Sequence, residues 1–388
     1  MTNEKIKLWL YLTTRTNISR SKLLSLYFHF KSAKAIFDSS EKELSNLGFL
    51  SKEEISEILD KNLSGLEEHI SMLNYNSVKI LTIECNEYPD LLRNIKSPPL
   101  VLYCRGKFIN LNNYVCIASI GTRTPTSYGK TMTRTIVKDL CREGFVIVSG
   151  LAQGIDSVSH MAAMENGYPT VAFVANGVDI IYPKINAELH KAIVKSGMIV
   201  SEYPPGTLPK NYYFLERNRL VSGVSMGIFI SEAALKSGSS STVSYGIEQG
   251  KDIFALPGNV NSELSAEPNR LIKQGAYPIT EAQDIINHYK NVYNLNMDFA
   301  KSLKSQNIVS SIKKYDYPED ELNIKEISIP ENLSDEEKVI FTIKNSFYDI
   351  DSISYLTKIS LSDLNFILLT MEMDGKIRNN NGNYTLTE

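Results

Sequence analysis

The sequence predicts an α/β fold: a parallel sheet covered by helices on both faces, set between a small helical amino-terminal segment and a carboxyl-terminal unit of three helices and a hairpin. Three observations carry this reading. Between residues 73 and 290, apolar runs ending in Gly, Ser or Asn-Gly alternate with helix-period segments. Those runs are continuously apolar, as strands buried on both faces are. Residues 1–72 show three- and four-residue apolar spacing without strand-like alternation.

Taken in order, residues 6–11, 21–30, 41–47, 52–59 and 63–72 read as short helices. A helix-hairpin-helix clamp would need a Gly-apolar-Gly turn, and Leu47-Gly48-Phe49-Leu50 lacks the second glycine, so packing or partner contact is expected there. In the middle, strand 115–120 ends at Gly121 and precedes helix 129–142. Strand 145–149 ends at Gly150 before helix 155–165, and strand 170–175 ends at Asn176-Gly177 before helix 186–195. Strands 198–201, 227–231 and 252–256 follow, with helices at 217–222 and 240–249 between them. Such sheets bind ligands at the carboxyl ends of strands, near a switch in strand order.

Residues 291–332 are polar and irregular and read as a linker between domains 73–290 and 333–388. In the last domain Ser334 and Glu337 form a capping box, helices are expected at 335–346, 352–357 and 362–373, and Asn381-Gly382 signals a hairpin. Three helices and a hairpin suggest a winged helix. Its third helix carries Asp363, Glu372 and Asp374 with nothing basic between Leu361 and Gly375. That face would repel phosphates, so a protein contact is expected.

The chain has 388 residues, 43% apolar and 22% charged, enough for two or three globular domains. Its net charge is −3, yet residues 71–290 hold 21 Lys and Arg against 18 Asp and Glu, while the flanks hold 20 against 26. A weakly basic middle between acidic ends is compatible with an anion groove. Cys85, Cys104, Cys116 and Cys141 are scattered, which fits buried thiols in a reducing compartment, without a disulfide frame or a zinc site. No apolar run approaches the roughly 20 residues of a membrane span. The start shows no signal-peptide pattern, so a cytoplasmic location is expected.

The catalytic motifs that the sequence approaches are each incomplete or out of order. Gly129-Lys130-Thr131 resembles the end of a phosphate loop, but the pattern needs glycine at Thr124, and Pro125 interrupts the run of amides. Gly223-Val224-Ser225-Met226-Gly227 matches a nucleophile elbow with the helix and strand in the wrong order. His29, His69, His160, His190 and His288 form no metal-spaced pair, and His160 is expected to pack on the helix after Gly154. Gly121-Thr122-Arg123 stands where a dinucleotide fingerprint would begin. No catalytic residue, metal or cofactor is expected.

Four strand-end loops remain: 121–125, 149–156, 203–219 and 232–242. Together they supply Arg, Lys, hydroxyls, exposed aromatics and free amides at helix starts. Helix N-termini hold phosphates, arginine grips them in fork geometry, and an aromatic such as Phe214 stacks on an unpaired base. Phosphate and base-face contact, with nothing to enter a major groove, describes a single-strand site. The alternative for Arg217 and Arg219 is pairing with Glu216, Glu232 or Glu248 to hold the loop.

The motifs SGLAQGID (149–156), YPPG (203–206), NRLVSGVS (218–225), SGSSST (237–242), QGKDIFALPG (249–258) and NRLIKQGA (269–276) resemble, in order and spacing, the DprA/Smf family of DNA-processing proteins. Tyr88-Pro89, Pro98-Pro99 and Leu102-Tyr103 fit as well, and the likeness spans residues 75–288. It implies an extended Rossmann-like sheet domain between a small helical domain of SAM or HhH type and a winged helix. It further implies a non-catalytic homodimer that binds and protects single-stranded DNA and hands it to a RecA-type recombinase in natural transformation. Carried over by motif, Arg123, Ser149, Gly150, Gln153, Gly154, Lys210, Asn211, Phe214, Arg217 and Gly238 would line the groove, with Asn218 and Arg219 partly structural. Three departures stand out: Thr122 for a serine, Leu215-Glu216 where Pro-Arg is frequent, and Glu267-Pro268 before Asn269. The second turns a positive charge negative, with weaker DNA binding the expected result. The rival class is a LOG-like nucleotide phosphoribohydrolase or another nucleotide-binding Rossmann enzyme. Glu232-Ala-Ala-Leu-Lys-Ser-Gly238-Ser stands in place of that group's Pro-Gly-Gly-x-Gly-Thr loop, which removes its acid.

Overall fold

The computed structural model describes residues 3–14, 17–75, 77–293, 329–330, 332–345, 349–380 and 383–387. Six helices come first: α1 (Asn3–Thr13), α2 (Arg20–Phe30), α3 (Ala33–Asp38), α4 (Glu41–Asn46), α5 (Lys52–Leu59) and α6 (Leu66–Tyr75). Serines set their starts, because a hydroxyl at the cap position accepts a bond from an orphan first-turn amide. Ser19 and Ser32 cap α2 and α3, and Ser40–Glu43 and Ser51–Glu54 form complete capping boxes. Of these six, α3 is the one the sequence reading did not include.

The sheet has nine strands: β1 (Val78–Thr82), β2 (Val101–Gly106), β3 (Cys116–Ile120), β4 (Val146–Ser149), β5 (Thr170–Phe173), β6 (Met198–Ser201), β7 (Gly227–Ile230), β8 (Asp252–Ala255) and β9 (Tyr277–Pro278). Their spatial order is β1-β2-β6-β5-β4-β3-β7-β8-β9. From β6 to β9 every pairing is parallel, as expected; β1 pairs β2, and β2 pairs β6, antiparallel. The chain thus steps outward from β3 to β6 and then returns to lay β7 on the other side of β3. This reversal is the switch point of a Rossmann-like sheet, and it opens a crevice at the carboxyl ends of β3, β4 and β7.

Helices α7 (Asp90–Arg93), α8 (Ser127–Arg142), α9 (Ile155–Glu165), α10 (Ala187–Ser196), α11 (Asn211–Val224), α12 (Gly238–Glu248), α13 (Ala266–Lys273) and α14 (Ala282–Tyr293) complete this region. Successive strand residues face opposite sides: Ile117 of β3 packs with Ile136, Leu140 and Tyr289 of α8 and α14, while Ala118 belongs to a second apolar cluster. That second cluster also takes in Leu220 and Val224 of α11 and Trp9, Leu10 and Leu26 of the first helices. The amino-terminal helices therefore share their core with the sheet. Among the described residues, no helix is long and apolar enough to cross a membrane. All four cysteines are buried free thiols.

Further on, α15 (Asp335–Lys344), α16 (Ile350–Thr357), α17 (Leu361–Met373) and the antiparallel pair β10 (Ile377–Asn380) and β11 (Asn383–Leu386) enclose their own apolar cluster, including Val339, Ile353, Leu364 and Leu368. The Ser334–Glu337 capping box forms as expected. Most of the expected linker and the Asn381-Gly382 turn lie outside the described residues.

Candidate functional site

At the switch point, the loop after β3 and the loop after β7 are tied together. Thr122 donates its amide to the Glu232 carbonyl at 2.6 Å. The Glu232 carboxylate accepts from the Thr126 amide at 2.8 Å and from the Thr126 hydroxyl at 2.6 Å. Thr126 is the cap residue of α8, so an internal carboxylate sits at this helix start. A Cβ on Gly129 would overlap that carboxylate. Thr126 therefore holds Glu232, and Gly129 leaves room for it, where a phosphate loop would hold phosphate.

The loop after β4 is built on an aspartate. Asp156 lies in the first turn of α9 and accepts from the amides of Gly150 at 3.0 Å and Ala152 at 3.3 Å. Burial raises its pKa, opposed by Arg217 and by these amide bonds. Gly154 has φ +84°, and a Cβ there would overlap the Thr122 carbonyl and the Arg123 backbone. Only glycine lets the two loops approach so closely. The Ser149 hydroxyl, fully buried, donates to the Ser119 carbonyl at 2.6 Å, and Gln153 is only 7% exposed.

Helix α11 crosses these strand ends and is locked to them through Arg217. Its guanidinium donates to the Gly150 carbonyl at 2.6 Å and to the Phe173 carbonyl, and its Nε donates to Asn218 Oδ1. Asn218 in turn donates to Ser241 Oγ at 2.8 Å and to the Gly238 carbonyl at 3.4 Å, joining α11 to the start of α12. Arg219 pairs with Glu202 at 2.6 Å, with side-chain exposures of 13% and 3%. Under the alternative reading these arginines pair with Glu216, Glu232 or Glu248; Arg219 instead pairs with Glu202, and Arg217 bonds to backbone carbonyls.

Helix α11 begins earlier than its sequence suggests, at Asn211. Asn-Tyr-Tyr-Phe has weak helix propensity, but tertiary packing overrides it: Tyr213 stacks on Tyr203 at 3.9 Å and Phe214 lies 5.3 Å from Tyr182. Lys210, the cap residue, and Asn211 are exposed, with the Lys210 ammonium 5.6 Å from the Tyr213 ring centre. Phe214 and Arg123 are partly exposed. At α12, Ser237 makes no side-chain cap, Gly238 has open space around its Cα, and Lys236 is exposed beside it. That terminus is ready for an anion.

The twelve residues chosen from sequence fall into two groups. Arg123, Gly150, Gly154, Arg217, Asn218 and Gly238 form a continuous series of contacts across the tips of β4, β5 and the starts of α9 and α12, with Lys210, Asn211 and Phe214 at the outer end of α11. The remaining three, Ser149, Gln153 and Arg219, turn their side chains inward, as Arg217 of the first group also does. Of the residues expected to line a groove, Ser149, Gln153 and Arg217 are therefore the buried ones, and Arg219 takes the partly structural place expected of it. Lys236 and Asp156 lie inside loops that the sequence singles out, though neither was chosen as a site residue; Tyr182 was missed, because the Tyr182–Phe214 contact spans a separation that spacing does not reveal. The histidines stay apart: His160 is fully buried, its Nδ1 2.8 Å from Thr170 Oγ1, and burial pushes its pKa down to about 3. Among the described residues, no His, Cys, Asp and Glu cluster could hold a metal.

Comparisons agree with this topology. The family model for DNA recombination-mediator protein A matches residues 79–290. The DNA processing protein DprA of Bacillus subtilis is 39% identical over 208 residues, covering 54% of this chain and 70% of that one. The crystal structure of DNA processing protein A from Streptococcus pneumoniae superposes with a TM-score of 0.64 at 28% identity, over 72% of this chain and 97% of that one. The Helicobacter pylori DNA processing protein A, solved in work on its single-stranded DNA binding mode, gives a TM-score of 0.50 at 36% identity, over 54% and 94%.

Proposed function

Because the chain belongs to the DNA recombination-mediator protein A family, we propose that it binds single-stranded DNA along the tips of β3, β4 and β7. The backbone runs past Arg123, the amides at the start of α12 with Lys236, and Lys210 and Asn211 at the start of α11. Phe214 offers a ring face to one base. One observation carries this reading: Arg217 and Asn218 fasten α11 to both the Gly150 loop and the α12 start, so cations, helix amides and an aromatic are held in fixed relation. Arg217, Asn218 and Arg219 serve as the frame, and Ser149, Gly150, Gln153 and Gly154 shape the floor. The structure of the Helicobacter pylori relative, concerned with single-stranded DNA, supports the ligand class.

The protein acts without catalysis, as a cytoplasmic homodimer that protects incoming strands and loads a RecA-type recombinase. Residues 1–72 form a small helical domain of SAM or HhH type and 73–290 the DNA-binding sheet domain. Residues 333–388 form a winged helix, whose third helix meets protein instead of duplex DNA. Exposed Phe366, Leu369 and Met373 on α17, beside Asp363 and Glu372, favour that use.

The test is fluorescence anisotropy with a labelled oligo-dT and a hairpin duplex of equal length at two salt concentrations. Tighter, steeply salt-dependent binding of oligo-dT is expected; equal binding of the two, or none, would reject the reading.

A further inference from the structure

Glu216 places a negative charge in α11, the helix proposed to flank the DNA. Its carboxylate is already engaged: Tyr203 donates its hydroxyl to Glu216 Oε2 at 2.7 Å, and Arg20 of α2 lies 3.5 Å from the same oxygen. Arg20 also reaches Glu202 at 3.3 Å, the carboxylate that Arg219 holds from the other side. Its guanidinium lies over the Tyr203 ring at 4.4 Å, and Tyr203 stacks on Tyr213, whose neighbour along the ring is Lys210. Two guanidiniums and two carboxylates thus balance in one partly buried cluster. One of the four, Arg20, is contributed by a helix 196 residues away from Glu216.

We propose that Arg20 is a positioning residue for single-stranded DNA binding: it neutralises Glu216 and Glu202 and seats the Tyr203–Tyr213 pair that supports the Lys210 turn of α11. The inference rests on the DNA-binding reading above. Without Arg20, Glu202 keeps only Arg219, and Glu216 presents an unbalanced negative charge beside the cationic start of α11. Both changes oppose a polyanion, the first through geometry and the second through field. The amino-terminal helices would then tune a site to which they contribute no phosphate contact.

Oligo-dT anisotropy on the full chain tests this with wild type, Arg20→Ala, Arg20→Gln and the double variant Arg20→Ala with Glu216→Gln. Each single variant is expected to weaken binding by about two- to thirty-fold, in the range of residues that act through a packed network. The salt slope should change by less than the roughly 0.7 of one lost phosphate contact, and the double variant should regain most of the affinity. Circular dichroism confirms that each variant is folded; Arg20 is about half exposed, and the glutamine variant keeps most of its side-chain bulk. Wild-type affinity in both single variants would overturn the proposal while leaving DNA binding intact. A slope reduced by about 0.7 would show that Arg20 touches a phosphate itself, which also overturns it. Absence of oligo-dT binding by wild type would instead remove the reading on which it rests.

Discussion

The carboxylate of Glu232 holds both the amide and the hydroxyl of Thr126, at 2.8 and 2.6 Å, and so occupies the amino end of α8. In a sheet with this strand order, that helix end is where a dinucleotide's pyrophosphate would rest. Here a protein carboxylate takes the dipole and the donors. The start of α8 thus holds an internal anion, whereas that of α12 has no side-chain cap. Glu232→Ala should destabilise the fold by about 1–3 kcal/mol, the range for leaving buried donors unpaired. Urea unfolding measures this, and an unchanged midpoint would show that the cap is not needed.

Arg217→Ala should act mainly on stability. The side chain is 5% exposed and bridges two backbone carbonyls beside the buried Asp156. Leaving the two buried carbonyls it bridges without a donor costs about 1–3 kcal/mol. A thermal melt indistinguishable from wild type, combined with lost DNA binding, would return Arg217 to the groove.

Arg123→Ala and Lys210→Ala should act on binding. Each lost phosphate contact flattens the log-affinity against log-salt plot by about 0.7 for a single strand. Titrations at several salt concentrations read the slope, and a parallel line would remove that residue from the phosphate path.

Phe214→Ala should weaken oligo-dT binding by about 1–3 kcal/mol if the ring stacks a base. Its other neighbour, Tyr182 at 5.3 Å, makes Tyr182→Ala an informative companion. Equal loss of stability and no loss of affinity in Phe214→Ala would assign the ring to packing alone.

Acid should destabilise the sheet domain through His160. Its folded pKa, about 3, lies below the ordinary value of 6.5. Between these values the unfolded chain binds more protons, so stability is complete above pH 6.5 and falls as pH drops toward 3. The loss at pH 5 from this one group is about 2 kcal/mol. His160→Asn should flatten the stability–pH curve between pH 7 and 5; an equally steep curve would place the acid sensitivity elsewhere.

Sequence alone determined the parallel strands between Val115 and Leu256, their glycine-ended loops and the helix cap at Ser334. Apolar period, φ freedom at glycine and the bond between a serine and a first-turn amide are local properties, encoded within a few residues. It also supplied the motif set on which family membership could be recognised. Tertiary structure alone decided that β7 returns beside β3, that β1 and β2 join antiparallel, and that α11 starts at Asn211. It likewise decided that Arg217 faces two carbonyls, that Arg219 meets Glu202 and that Arg20 reaches Glu216. Those outcomes depend on which distant groups come within a few ångströms once the core is buried. A charge or an aromatic takes whichever partner lowers its desolvation cost, and spacing along the chain carries no record of that choice.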